Sequence, residues 1–304
     1  MSERTLTLEV EADGAAPRLD AFVQTALPTL SRRLLRRLIA RGQVRVNGRP
    51  AAKGVRLRAG DRVTLPVLPL ALSPEPELTL PVVYEDADLV AIDKPGGMPA
   101  HALDPRERGT AAAFVLTRYP ETASVGDPLA PGLVHRLDTG TSGLLLAART
   151  AAAHAALRAA LRARAVEKRY LTIVAGAAAA LDQTRIVIPL AHDPRDQRRM
   201  VPARAGLRGW PAESAVAVRA VGGGRSLVEV TIRTGVTHQV RVHLALRGHP
   251  VLNDPLYGGP AAALAHGRHA LHASGVTLPH PATGRALRLD CLLPAELARL
   301  VPTA

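Results

Sequence analysis

The chain has 304 residues, 47% of them hydrophobic, with one cysteine, a formal net charge of +13 and a pI near 11.2. That length provides core enough for one large or two ordinary domains, and the charge points to a polyanionic partner, most often nucleic acid. The lone Cys291 excludes an internal disulfide and a cysteine-based structural zinc site; with no signal-peptide core and no 18-residue uncharged apolar run, a cytoplasmic protein without membrane association is expected.

Where the charge sits says more than its total, since 36 of the 39 basic residues are Arg and an Arg- and Ala-rich composition fits a GC-rich genome. Residues 1–16 read as a polar tail. From Pro17 to Leu65, eleven Arg and Lys53 stand against Asp20 and Asp61, a net +10. A first helix starts at Arg18 and ends at Pro28; a second is capped by Ser31 and stopped by Gly42. On a helical wheel Arg32, Arg33, Arg36, Arg37 and Arg41 take one half, opposite Leu34, Leu35, Leu38 and Ile39. Five arginines with no acid on the helix repel one another, which favours a phosphate-binding face over a solvated one. A strand from Gln43 to Val46, the hairpin signal Asn47-Gly48 and a strand from Arg62 to Leu65 complete a small α/β unit over 17–66. Ser31-Arg32-Arg33 and Gly42-Gln43-Val44-Arg45-Val46-Asn47-Gly48 resemble the alpha-L RNA-binding domain named after ribosomal protein four of the small subunit, which implies RNA binding. Five prolines between Pro66 and Pro81 mark 67–80 as a semi-extended linker, leaving 81–304 as a second domain.

That second domain opens on a hairpin, Val82-Val83-Tyr84 and Leu89-Val90-Ala91-Ile92, running into a turn at Lys94-Pro95-Gly96-Gly97. Leu133 to Leu137 reads as a strand entering a turn around Asp138, and Leu144 to Ala148 as a strand buried on both faces. A carboxylate held at such a core edge, beside His135 and Arg136, is placed with little freedom, as a catalytic group must be; the plain alternative is a turn aspartate bonded to its own backbone. An Ala-rich helix from Ala151 to Arg164 precedes Glu167-Lys168-Arg169-Tyr170 and a strand to Val174. Further strands at Arg185–Pro189, Ala212–Arg219 and Ser226–Arg233, with a turn at Gly222-Gly223-Gly224, build a mixed, mainly antiparallel sheet flanked by helices, an α+β domain. Thr237 is expected to cap a helix closed by Gly248. His238, His243, His266, His269 and His272 lack the spacing and companion carboxylates of a zinc site and read as hydrogen-bonding histidines, so no metal is expected. No glycine-rich nucleotide loop occurs, so no nucleotide cofactor is expected.

His135-Arg136-Leu137-Asp138 followed by Thr141-Ser142-Gly143 resembles the active-site signature of the RluA/RluD-type pseudouridine synthases. Lys94-Pro95-Gly96-Gly97, Lys168-Arg169-Tyr170 and Thr234-Gly235-Val236-Thr237-His238-Gln239-Val240-Arg241 match further segments of that family, and the likeness runs from about Val82 to Pro294. It implies a pseudouridine synthase fold and an isomerase, most of all of large-subunit ribosomal RNA and next of transfer RNA. Asp138 would be catalytic, Arg241 its partner and Tyr170 a base-facing residue. Arg136 would fill the stack left by the flipped uridine, with His135 beside it on the RNA. Isomerisation needs no cofactor, and a monomer is expected. Val236 stands where the family usually has Arg or Lys, and Gly140 where an acid is common. Two rivals explain less. An RNA-binding assembly factor leaves Asp138, Tyr170 and Arg241 a coincidence, and an aspartic protease, suggested by Asp138-Thr139-Gly140-Thr141-Ser142, needs two such aspartates sharing a proton.

Overall fold

The computed structural model describes residues 5–11, 16–28, 30, 32–52, 54–67, 71–265 and 267–303. The expected cap Ser31, Lys53 and His266 lie outside these residues, as does the side chain of Arg33. The chain divides into two units: Met1–Ser73 with Ala102–Arg108, and Pro74–His101 with Gly109–Ala304.

In the first unit, strand β1 (Thr5–Glu9) is followed by helices α1 (Leu19–Ala26) and α2 (Arg32–Ala40) and strands β2 (Arg45–Val46), β3 (Arg49–Pro50) and β4 (Arg62–Pro66). The sheet order is β1-β4-β2-β3. The two apolar helix faces meet it in one core around Leu19, Val23, Leu34, Leu35, Leu38, Val44, Val63 and Leu65. Asn47 and Gly48 both adopt positive φ, as the tight β2–β3 turn requires, and Asn47 ties the turn to β4 by accepting from the Arg62 N–H at 2.9 Å. Residues 5–9, expected as tail, instead pair with β4 along their whole length. The alternation Thr-Leu-Thr-Leu-Glu, with Leu6 and Leu8 against the core, is what makes that strand.

The second unit contains β5 (Val82–Glu85), β6 (Leu89–Lys94), α3 (Ala111–Arg118), β7 (Gly126–Asp127), β8 (Ala130–Pro131), β9 (Ser142–Ala148), α4 (Ala151–Arg162) and β10 (Glu167–Ala175). It continues with β11 (Arg185–Val187), β12 (Leu190–His192), β13 (Met200–Pro202), β14 (Glu213–Gly222), β15 (Arg225–Ile232), α5 (Gln239–Leu246), β16 (Leu271–Pro279), β17 (Ala286–Asp290) and α6 (Ala295–Ala298). The main sheet runs β11-β14-β15-β10-β16-β9-β6-β5, with β17 on β16. Its pairings are antiparallel except β9 with β16, which meet in parallel at Ser142–His272 and Gly143–Ala273. Gly143 is required there, with φ of 106° and the Ala273 carbonyl 2.3 Å from where a Cβ would stand. This crossing anchors the end of the Asp138 turn to the middle of the sheet.

Three further expectations change. Residues 102–108 join the first unit, so 81–304 is not one continuous domain, and the proposed linker holds Glu75, which is buried and accepts from the Gly109 N–H at 2.9 Å. Leu133–Leu137 is irregular apart from one bridge between Leu133 and Ala147. Side chains take part of the ladder's place: the Val134 N–H still donates to the Leu146 carbonyl at 3.3 Å, but Arg158 donates to the Val134 carbonyl at 2.9 Å and the His135 ring accepts from the Leu146 N–H at 3.1 Å. Helix α5 is preceded by His238 in a left-handed conformation and is not capped by Thr237.

Candidate active site

The Asp138 turn is clamped from two sides. The Lys94 ammonium, fully buried, donates to the Pro95 and Met98 carbonyls at 2.8 and 2.7 Å and lies 3.4 Å from that of Thr139, which also accepts from the Gly97 N–H at 2.7 Å. Burial brings the Lys94 pKa down to about 7, so these carbonyls matter for keeping it charged. From the other side Arg268 donates to the Gly140 carbonyl at 3.0 Å and to Ser142 Oγ at 2.9 Å, while His269 Nε2 meets Thr141 Oγ1 at 2.8 Å. The absence of a side chain at position 140 follows: a Cβ there would stand 2.5 Å from both the Gly267 carbonyl and His269 Nδ1.

Above the turn lies a cavity of about 340 Å³ whose lining includes Asp138, Tyr170, His238 and Arg241. Arg241 donates to Asp138 Oδ2 at 3.0 Å through Nη1, and to both oxygens of the fully buried Asp254 at 2.6 and 2.8 Å through Nε and Nη2. One guanidinium thus bridges two carboxylates, and Tyr257 stacks beneath it with its ring centre 5.1 Å away. Tyr257 is also tied to His238, its hydroxyl 2.8 Å from Nδ1, and His238 Nε2 faces Asp138 Oδ1 at 3.8 Å.

Burial alone would raise the Asp138 pKa, but the neighbouring charges and the Arg241 hydrogen bond hold it below the usual carboxylate range. Burial drives the protons off His238 and His269, the latter to about 3, so near neutrality Arg241 is the cation that keeps Asp138 ionised. Arg241 itself is fixed in its charged form: burial opposes the charge, and Asp254 and Asp138 outweigh it. The Tyr170 phenol is pushed the other way, upward, by burial and by the charge of Asp138.

The expected residues therefore divide. Asp138, Tyr170, Arg241, Arg136 and His135 line one cavity, with Arg136 exposed and without an ion pair among the described residues. His135 is turned inward onto Leu146 N–H, and burial lowers its pKa to about 3. Arg32, Arg36, Arg37 and Arg41 belong to the other unit. There Arg32, Arg36 and Arg41 are exposed, while Arg37 reaches Glu107 at 3.4 Å and Arg41 lies 3.8 Å from Asp104. The helix carries no acid, as expected, but residues 102–108 supply two. Val236 packs against Leu190, Met200, Ala212 and Val242, closing a small apolar cluster where a basic residue was expected. The expected histidines that lie among the described residues do hydrogen-bond, His243 with Ser214 and the Ile188 carbonyl and His272 with Ser142 and the Cys291 carbonyl. Sequence reasoning missed Asp254, Lys94 and Arg268 as positioning residues; for Lys94 the available signal was its place in the Lys94-Pro95-Gly96-Gly97 segment.

Comparisons with known proteins place the sequence and the fold in one family. The RNA pseudouridylate synthase profile matches residues 88–246, and that of the S4 domain residues 17–63. An uncharacterised RNA pseudouridine synthase of Chloroflexus aurantiacus is 40% identical over 285 residues, 93% of this chain and 88% of that one. Ribosomal large subunit pseudouridine synthase D of Neisseria meningitidis serogroup A is 32% identical over 314 residues, 99% of this chain and 82% of that one. The structure of human RNA Pseudouridylate Synthase Domain Containing 1 shares the fold, with a TM-score of 0.56 at 24% identity over 72% of this chain and 86% of that one. The chain belongs to the RNA pseudouridine synthase family. It is an isomerase that converts uridine to pseudouridine in RNA, and it carries an S4 RNA-binding domain at its N-terminal side.

Proposed function

We propose that this isomerase modifies uridine in large-subunit ribosomal RNA, with Asp138 acting on the ribose. The observation that carries the reading is the Asp254–Arg241–Asp138 bridge, which holds one carboxylate ionised and aimed into a basic cavity of nucleotide size. The reaction breaks the bond from uracil N1 to ribose C1′, turns the base and joins C1′ to C5, whose proton leaves. Asp138 serves as nucleophile at C1′ or as base at C2′, and either task needs the ionised form that Arg241 maintains. Tyr170 packs against the freed base and takes part in the final proton transfer as a neutral phenol, since burial and Asp138 both hold its proton on. A base must leave its stack to reach the turn, and the unpaired Arg136 is suited to fill the vacancy, with His135 fixed beside it.

The ribosomal target is supported by relatives bearing the name ribosomal large subunit pseudouridine synthase D and by the basic S4 unit, whose Arg32, Arg33, Arg36, Arg37 and Arg41 are proposed to engage phosphates. A monomer working in the cytoplasm fits that target; among the described residues no helix is long and apolar enough to cross a membrane. Mapping pseudouridines in the ribosomal and transfer RNA of a strain lacking the protein tests the assignment. Loss of one or more sites in large-subunit RNA is expected, and loss confined to transfer RNA would overturn it.

A further inference from the structure

The cavity contains a second, separate oddity. Lys168 stands two residues before Tyr170 on β10, so both side chains leave the same face of the strand about 7 Å apart. Its flanks are apolar, with Leu144, Leu146, Leu161 and Val166 around the same recess. Unlike Lys94, whose ammonium is capped by carbonyls, Lys168 has no hydrogen bond or ion pair among the described residues. The adjacent Glu167 is engaged by Arg233 at 2.8 Å. Asp138 is the sole acid lining the cavity and is held by Arg241, whereas Arg136, Arg158, Arg162 and Arg233 also line it. Burial lowers the Lys168 pKa to about 8, and no carboxylate is paired with its ammonium among the described residues. Finally, Gly235 faces Lys168 Nζ, which would lie 3.1 Å from a Cβ there, so the glycine keeps the space around the ammonium open.

A desolvated cation with no counter-charge is costly to keep unless a ligand supplies one. We propose that Lys168 is the seat of a backbone phosphodiester of the substrate strand, one of the two that flank the target uridine. The inference rests on the uridine entering beside Asp138. An anion on the uracil would develop next to that carboxylate, whereas the Lys168 ammonium sits farther along the strand, where a fixed phosphate can anchor the nucleotide while its base turns. Lys168 is then the residue that keeps the ribose from drifting while the base is detached.

The test uses short RNA substrates carrying a single neutral methylphosphonate, 5′ or 3′ of the target uridine, assayed with the wild type and with Lys168→Met. On unmodified RNA the variant is expected to raise KM about tenfold, the scale of one charge-assisted contact, with kcat within about twofold. One methylphosphonate position should weaken the wild type by a similar factor and leave the variant unaffected; the other should act on both alike. Lys168→Arg should restore part of the affinity, and Lys168→Met should melt no lower than the wild type, since it removes an unpaired charge. If the variant does not fold, the position-specific loss in the wild type, measured on both sides of pH 8, decides alone. Equal penalties at both positions in both proteins, or a loss confined to kcat, would overturn the proposal. Failure of the Asp138 assignment is separately visible, because Asp138→Asn would then turn over while the methylphosphonate pattern persisted.

Discussion

Asp254 grips Arg241 through both carboxylate oxygens, at 2.6 and 2.8 Å, and leaves only Nη1 to reach Asp138. Aim is therefore set one residue behind the reacting carboxylate. Asp254→Asn keeps the shape and weakens the grip, so single-turnover isomerisation should fall by about ten- to a hundredfold, with RNA affinity nearly unchanged. Asp254→Ala leaves a buried guanidinium half paired and should cost about 3 kcal/mol of stability or more. Urea unfolding and single-turnover rates check both.

Gly140 stands where an acid was expected, and the Gly267 carbonyl and His269 are packed against it. Restoring the acid with Gly140→Asp should lower stability by about 1–3 kcal/mol and disturb the turn. A melting temperature equal to that of the wild type would contradict this packing.

His269 is buried, and its folded-state pKa of about 3 lies below the ordinary 6.5. The unfolded chain therefore binds this proton first as pH falls. Its share of stability is whole above about pH 6.5 and drains as pH drops towards 3, by about 1.4 kcal/mol per unit at most. Denaturation between pH 7 and 4 should show a steeper loss in the wild type than in His269→Gln, which needs no proton balance.

Lys168 and Tyr170 should separate the alkaline behaviour of KM and kcat. Lys168 loses its charge as pH rises through about 8, so KM should climb there, whereas the raised Tyr170 pKa means that the phenol itself brings no fall in kcat below about pH 9. An alkaline fall in kcat with unchanged KM that disappears in Tyr170→Phe would mean that the phenol titrates in the working range.

The arginines of α2 can now be ranked. Arg32→Gln and Arg36→Gln remove exposed charges and should each flatten the log–log salt dependence of RNA binding by roughly 0.7 to 0.9, with stability and saturating rate unchanged. Arg37→Gln should also loosen the segment bearing Glu107, 3.4 Å away. An unchanged salt slope would make this face merely solvated.

Local chemistry was legible where it decides the backbone by itself. The Asn47-Gly48 turn, the helix starting at Ala151, the Gly222-Gly223-Gly224 turn and the buried run from Leu144 to Ala148 follow from turn residues and periodicity. The Asp138–Arg241 pair spans 103 residues and was legible only through a known motif. What escaped was set by distant partners. Thr5–Glu9 is a strand because Arg62–Pro66 offers it an edge, and Leu133–Leu137 is not one because Arg158 and the His135 ring take part of its place in the ladder. Lys94, Arg268 and Asp254 look like loop charges until the turn they hold is built.

The most direct measurement is single-turnover pseudouridine formation by Asp138→Asn, at saturating enzyme, on an RNA that the wild type converts. The substitution keeps the side-chain shape and leaves the phosphate contacts untouched, so affinity should stay within a few fold while the rate falls by about a thousandfold or more. Turnover within about tenfold of the wild type would contradict the assignment of the chemistry to Asp138.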